Sequence, residues 1–471
     1  MMPAIRMRPA KRDVTGKRIE QKRTRVGILS TGAAASDSMP PDTRPGASPQ
    51  PVSALRGGIV LATLTFVYVL NFLDRQLLGI LAKPIQDTLH ITDGQLGLIG
   101  GLYFAAFYCF IAIPVGWFAD RTNRVSVVSL ACAIWSGATM ACGFAATYPQ
   151  LVGARMVVGF GEAGGVPPSY AIITDTFPPG KRATALGIYN LGPPIGAAIG
   201  IAFGASIAAA FNWRVAFIAI GIVGIFTAVI VRLVVREPAR GALDPAALPG
   251  DLGKPPFWGT VGSFFANPVL LLASVGSGAT QFVTYGVGNF AVLFLMREKG
   301  MSLTEIAVYY AIVVAVGMGA GMVVSGRVID RLTRISRAGY ATAPAASLAV
   351  ALPFYIAFVW APAWQLALVL LTVVNFFNYF YLSSCVALVQ EEVRPDQRVL
   401  SGALLLLVMN FVGLGLGPTY VGAASDYFKA HGSAHSLQTA LYTLAPIYLI
   451  AIFFFLWLAR VLSREQRKVA A

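Results

Sequence analysis

From Gly57 onward the chain alternates long apolar blocks with short polar breaks. A membrane-spanning helix needs about 20 apolar residues. Twelve blocks meet that length, at 57–82, 94–119, 125–147, 150–173, 183–210, 213–235, 268–296, 303–328, 338–361, 364–390, 399–425 and 438–461. The longest polar interruption, 237–266, falls between the sixth and seventh blocks. It carries Glu237-Pro238, Pro245, Pro249 and Pro255-Pro256, then Phe257, Trp258, Val261, Phe264 and Phe265 at helical spacing. This pattern predicts a flexible joint followed by a short amphipathic helix on the inner membrane face. The expected architecture is an all-α polytopic membrane protein of twelve transmembrane helices in two pseudo-symmetric six-helix bundles.

Composition narrows the class. The 471 residues are 56% apolar and 12% charged, with mean hydropathy +0.68. Soluble domains run near 25% charged, so a soluble enzyme, a nucleic-acid binder and a disordered scaffold are excluded. The net charge of +15 reflects placement along the chain. Residues 1–56 hold eleven basic and four acidic residues in a Pro-, Ser-, Thr- and Gly-rich context. They read as a basic disordered cytoplasmic tail with no secretory signal, whether the chain starts at Met1 or at Met39. With the N-terminus inside, 29 of the 36 basic residues fall on the cytoplasmic side, five outside and two within spans. Both termini are therefore expected in the cytoplasm. The expected organisation is a tail 1–56, a bundle 57–236, a linker 237–266, a second bundle 267–462 and a short tail 463–471.

An internal repeat supports the division into halves. Gly116-Trp-Phe-Ala-Asp120-Arg121 after the second block recurs 210 positions later as Gly326-Arg-Val-Ile-Asp330-Arg331. Arg182 to Gly187 opens the fifth block and Arg398 to Gly402 the eleventh, and each block later contains Gly-Pro, at Gly192-Pro193 and Gly417-Pro418. Two motifs at similar offsets indicate a duplication.

Three stretches resemble the major facilitator superfamily over about 57–465: Gly116 to Arg124, Arg155-Met-Val-Val-Gly159-Phe-Gly161-Glu162-Ala163, and Gly192-Pro193-Pro194-Ile-Gly196. Asn71-Phe-Leu-Asp74-Arg75 together with Gly161-Glu162-Ala163 is similar to the spinster transporters within it. The resemblance implies the major facilitator fold and export of lysophospholipid-like or sphingolipid-like amphiphiles, linked to proton movement. It also implies a cytoplasmic gate at Gly116, Asp120, Arg121, Arg124, Asp330 and Arg331.

Four charges lie within predicted spans: Asp74, Arg75, Arg155 and Glu162. Insertion of a central Asp, Lys or Arg costs about 2.5–3.5 kcal/mol, so these groups must be paired, neutralised or wet. Span one runs outward and span four inward, and at about 1.5 Å per residue the span-one pair lies between the two span-four charges in depth. This predicts a two-rung ladder, Arg155 with Asp74 toward the outside and Arg75 with Glu162 deeper. Static ion pairs are one reading, although buried pairs stabilise poorly compared with apolar packing. In the other, Arg75 and Arg155 bind an anionic headgroup while Glu162, and secondarily Asp74, take up protons when an arginine is drawn away.

The second half has no charge at that depth. Its candidate cavity groups are Gln281, Tyr285 and Asn289 in span seven and Asn375, Asn378 and Tyr379 in span ten, each set on one helical face. Interhelical hydrogen bonding is an equal reading for them. Asn71 and Asn190 are weaker members of the same set. The first half is thus expected to handle charge and the second an apolar tail. Gly187, Gly192, Pro193, Pro194 and Gly196 read as packing and bending points.

No phosphate-binding loop is present, which argues against an ATP-driven pump. His90, His431 and His435 fall in predicted outside loops, and Cys109, Cys132, Cys142 and Cys385 in apolar runs without metal spacing. No metal or organic cofactor and no enzymatic activity are expected. The expected partners are the bilayer, an amphiphilic substrate and protons as coupling ion, with no nucleic acid, for a monomer in the inner cell membrane. The reading is a secondary transporter working by alternating access. Its alternatives are a proton-coupled organic-anion or multidrug carrier, or a structural or receptor-like membrane protein.

Overall fold

The computed structural model describes residues 54–119, 121–240, 257–394 and 397–470. Most of the basic tail, the centre of the linker and Asp120 lie outside the described residues. The first half is built from α1 (Ala54–Ile80), α2 (Ala82–Leu89), α3 (Asp93–Gly100), α4 (Leu102–Ala119), α5 (Arg124–Phe144), α6 (Tyr148–Glu162), α7 (Val166–Thr176), α8 (Pro179–Tyr189), α9 (Gly192–Ala210) and α10 (Trp213–Val234). The linker contributes α11 (Phe257–Ala266), with Phe264 buried and Trp258 exposed. The second half contains α12 (Pro268–Lys299), α13 (Leu303–Glu305), α14 (Ala311–Thr333), α15 (Gly339–Trp360), α16 (Trp364–Asn378), α17 (Phe380–Glu392), α18 (Arg398–Asn410), α19 (Gly417–Ala430), α20 (Ser436–Tyr442) and α21 (Ala445–Ala470).

Among the described residues, eleven helical stretches are long and apolar enough to cross a membrane. The remaining block of the sequence reading, 150–173, is split into α6 and α7. Pro167 and Pro168 have no N–H to offer the carbonyls one turn back, and a helix cannot run through them unbroken. The N–H groups of Gly164 and Gly165 instead bond the carbonyls of Gly161 and Glu162, each at 3.1 Å. Glu162 therefore ends a helix at the break. The fifth and eleventh blocks are disturbed more mildly beside their Gly-Pro motifs, by a turn at 190–191 and a π-helical turn, Phe411–Leu416, and each remains one crossing-length helical stretch.

Polar caps set several helix starts. Asn123, Asn212 and Asn267 accept backbone N–H groups of the following turn, and Thr92 with Gln95 and Ser302 with Glu305 form capping boxes. Close backbone approach brings crossings together where glycine allows it. A Cβ on Gly196 would stand 2.3 Å from the Val69 carbonyl oxygen, and one on Gly161 would stand 2.7 Å from the Trp135 nitrogen. These approaches seat α9 on α1 and α6 on α5. Gly187 differs from the glycines read with it, since a Cβ there would meet nothing within 4 Å.

An even number of crossings puts both described ends of the chain at one end of the bundle, the terminal end. At the opposite end the halves are bound together. Arg297 donates to both Asp93 oxygens at 2.7 and 2.8 Å and to Gln86, Ser425 donates to Asp93, and Asp426 accepts the N–H groups of Asp93 and Gly94. About two helix turns further in, Thr419 accepts the Leu102 N–H at 3.1 Å.

Candidate functional site

The four embedded charges meet. Arg75 Nε lies 2.6 Å from Glu162 Oε2, and Arg155 Nη1 lies 3.6 Å from Asp74 Oδ1. The rungs differ in quality. The first is a direct charge-assisted hydrogen bond. The second is beyond hydrogen-bond distance and leaves Asp74 Oδ1 and Arg155 Nε and Nη1 without hydrogen-bond partners among the described residues. Asp74 Oδ2 accepts a hydrogen bond from Thr139 Oγ1 at 2.9 Å. All four side chains are at least nine-tenths buried: Glu162 is fully enclosed, whereas Arg75 keeps 9% accessible.

Aromatic rings wrap the arginines. The Arg75 guanidinium lies 4.6 Å from the Tyr108 ring centroid, 5.1 Å from Phe72 and 5.4 Å from Phe104, and Arg155 lies 5.2 Å from Phe104. Ring quadrupoles attract a desolvated cation, which offsets part of the cost of holding two arginines at this depth. The Tyr285 hydroxyl, from the second half, also faces Arg75. Nearer the terminal end, Tyr68 stacks on Tyr189, Tyr170 meets Tyr189 edge-on, and the Tyr170 hydroxyl donates to Asn190 at 2.6 Å. Hydroxyls and ring faces thus pack on the terminal side of the charged pairs.

The remaining residues read from the sequence lie in varied surroundings. Asn71 is buried, and neither its side-chain oxygen nor its nitrogen has a partner among the described residues. Gln281 is buried with its Oε1 unpartnered and packs its Cβ onto Gly413. Asn289 donates to the Tyr285 carbonyl and sits at the joint between the halves, its Oδ1 2.6 Å from where a Cβ of Gly100 would lie. Asn378 exchanges hydrogen bonds with the Tyr448 hydroxyl at 3.0 and 3.1 Å inside the second half. Asn375 packs against Gly317, and Tyr379 stands at the break between α16 and α17. Gly192 and Gly196, with Pro193 and Pro194, are buried in the contact of α9 with α1.

The motif loops do not act alike. Arg124 is buried in a three-way cluster: Nε to Glu237 at 2.6 Å, Nη1 to Asp175 at 2.6 Å and Nη2 to the Pro238 carbonyl. Arg334, 210 positions on in the second half, does not occupy the equivalent place. Arg337 does, pairing with Glu392 and, at 3.6 Å, with Glu465. A Cβ on Gly116 would meet nothing within 4 Å, and Arg121, Asp330 and Arg331 are exposed. Sequence reasoning missed Asp175, Glu237, Glu392 and Glu465, although an acid closes the fourth, sixth, tenth and twelfth blocks alike. It also missed Thr139, Phe104 and Tyr108, which carry no signal in a span rich in such residues.

The family model of the Major Facilitator Superfamily matches residues 64–418. A solved bacterial homologue of the human lysosomal transporter spinster, described as inward-facing and unoccupied, superposes with a TM-score of 0.81. It shares 30% identity and the match covers 88% of this chain and 99% of that one. This chain belongs to the spinster family of the major facilitator superfamily. It is a multi-pass integral membrane transporter. Among curated relatives, an MFS-type efflux pump of Mycolicibacterium smegmatis is 29% identical over 87% of this chain and 94% of its own length. Protein spinster homolog 1 of Homo sapiens is 28% identical over 52% of this chain and 47% of that protein.

Proposed function

We propose that this transporter moves an amphiphile with an anionic headgroup, lysophospholipid-like or sphingolipid-like, by alternating access coupled to protons. The carrying observation is the Arg75–Glu162 pair, at 2.6 Å and buried within the membrane-spanning part of the first half. A phosphate or carboxylate entering from the terminal end competes with Glu162 for the Arg75 guanidinium, which can grip either with two parallel N–H donors. Glu162, losing its partner in a dry site, takes a proton. Asp74, already held by Thr139 and only loosely by Arg155, is the second acceptor. The closed end away from the termini corresponds to an inward-facing state if both termini are cytoplasmic, in line with the solved homologue.

The test is substrate-dependent proton flux in proteoliposomes presented with lysolipids, sphingoid phosphates and simple organic anions. Flux with the amphiphiles and not with the simple anions supports the reading. A second reading, a multidrug carrier, draws on the efflux-pump relative, and transport of structurally unrelated apolar cations in the same assay would favour it. Absence of any substrate-linked proton movement rejects the coupling.

A further inference from the structure

Phe104 is in reach of the arginines of both rungs. It is 1% exposed, and both guanidinium groups rest on its ring, Arg75 at 5.4 Å and Arg155 at 5.2 Å. Its backbone is fixed from one side by α6, since a Cβ on Gly159 would stand 2.6 Å from the Phe104 carbonyl oxygen. Its ring stacks along Tyr108, centroids 5.9 Å apart. From the other side it is tied to the second half through the chain. The second crossing breaks at Gly101, where φ is −109° and ψ is −103°, and a Cβ there would meet the Gly415 carbonyl oxygen at 2.6 Å. Two residues before Phe104, the N–H of Leu102 bonds Thr419 of the eleventh crossing. The first turn of α4 is thus anchored across the seam that closes the bundle.

We infer that Phe104 is a positioning residue that keeps the two rungs separate and passes movement of the seam between the second and eleventh crossings to them. The inference rests on the transport reading above. A ring face attracts both cations, whereas two guanidiniums side by side would repel, so the ring favours the pairing Arg75 with Glu162 and Arg155 with Asp74. When the seam parts, Leu102 loses Thr419, the start of α4 is released, and the ring moves with it. The charged and titratable groups around the ring and its two arginines are Asp74 and Arg75 on α1, Arg155 and Glu162 on α6, Tyr108 and Cys109 on α4, Tyr285 on α12 and Cys142 on α5. No group outside this set is needed for the exchange.

Phe104→Leu keeps an apolar side chain and removes the ring face, and Phe104→Trp keeps a ring face. In proteoliposomes the proton-to-substrate ratio and the response to an imposed pH gradient should fall about tenfold in F104L and return in F104W. An F104L protein that keeps the wild-type pH response overturns the inference, as does an F104W protein that folds yet behaves like F104L. If the wild type moves no protons, the coupling reading fails by itself, and a second measurement decides this one. A thermal-unfolding cycle of F104L with Arg155→Met should show that the two changes do not add. Additive losses in that cycle overturn the positioning role.

Discussion

At the terminal rim the two halves are alike, and at mid-depth they are not. Arg124 with Asp175 and Glu237 joins the starts and ends of the third, fourth and sixth crossings, and Arg337 with Glu392 and Glu465 joins the ninth, tenth and twelfth. The shared cluster follows from duplication and serves the scaffold common to both bundles. Deeper in, the first half holds two ion pairs and the second holds amides and hydroxyls, Asn378 with Tyr448 among them. Under the proposed function, a frame that carries charge at this depth in one half alone would confine recognition of charge to that half. The rim clusters differ in burial too: the Arg124 side chain is 5% exposed and that of Arg337 is 35%.

The largest effect should come from Arg75→Ala. It removes the partner of a fully enclosed carboxylate and the headgroup donor together, and apparent substrate affinity measured by uptake should drop about 100-fold. Unaltered affinity would move charge recognition out of the first half. Next, Glu162→Gln should fold, as judged by size-exclusion profile and thermal unfolding, and should lose the pH dependence of transport. Persisting pH dependence would transfer the proton to Asp74 or elsewhere. At the rim, Arg124→Gln leaves Asp175 and Glu237 facing each other and should lower the unfolding temperature by several degrees with substrate affinity unchanged. Arg337→Gln, in the more exposed counterpart, should lower it less, because solvent screens that pair. The smallest effect is expected for Asn378→Leu, a stability loss of about 1 kcal/mol with an unchanged pH profile. A changed profile there would show that the second half takes part in the proton step.

Much of this was legible in the residues. The apolar blocks and the relative depths of the four embedded charges follow from helix rise and the cost of charge in a membrane, and both are properties of the chain alone. The pairing of span one with span four was legible for the same reason: few partners exist at that depth. The rim was less so. The repeat as read ended at Asp330-Arg331 and gave no counterpart for Arg124, the place that Arg337 takes beside the acids. The wall around the arginines was not legible. Phe104, Tyr108 and Thr139 are ordinary residues in apolar runs.

The sequence by itself determined that the chain is laid out in apolar blocks of membrane-spanning length, that a motif recurs between its halves, and that the first half carries ions within such blocks, because hydropathy and charge act locally. Only the tertiary structure decided which end is closed, that one rung is tight and the other loose, and that one ring touches both arginines. Those outcomes depend on how closely neighbouring helices approach. That closeness is set by where glycines such as Gly159, Gly161 and Gly101 meet facing backbones, a relation between segments far apart along the chain.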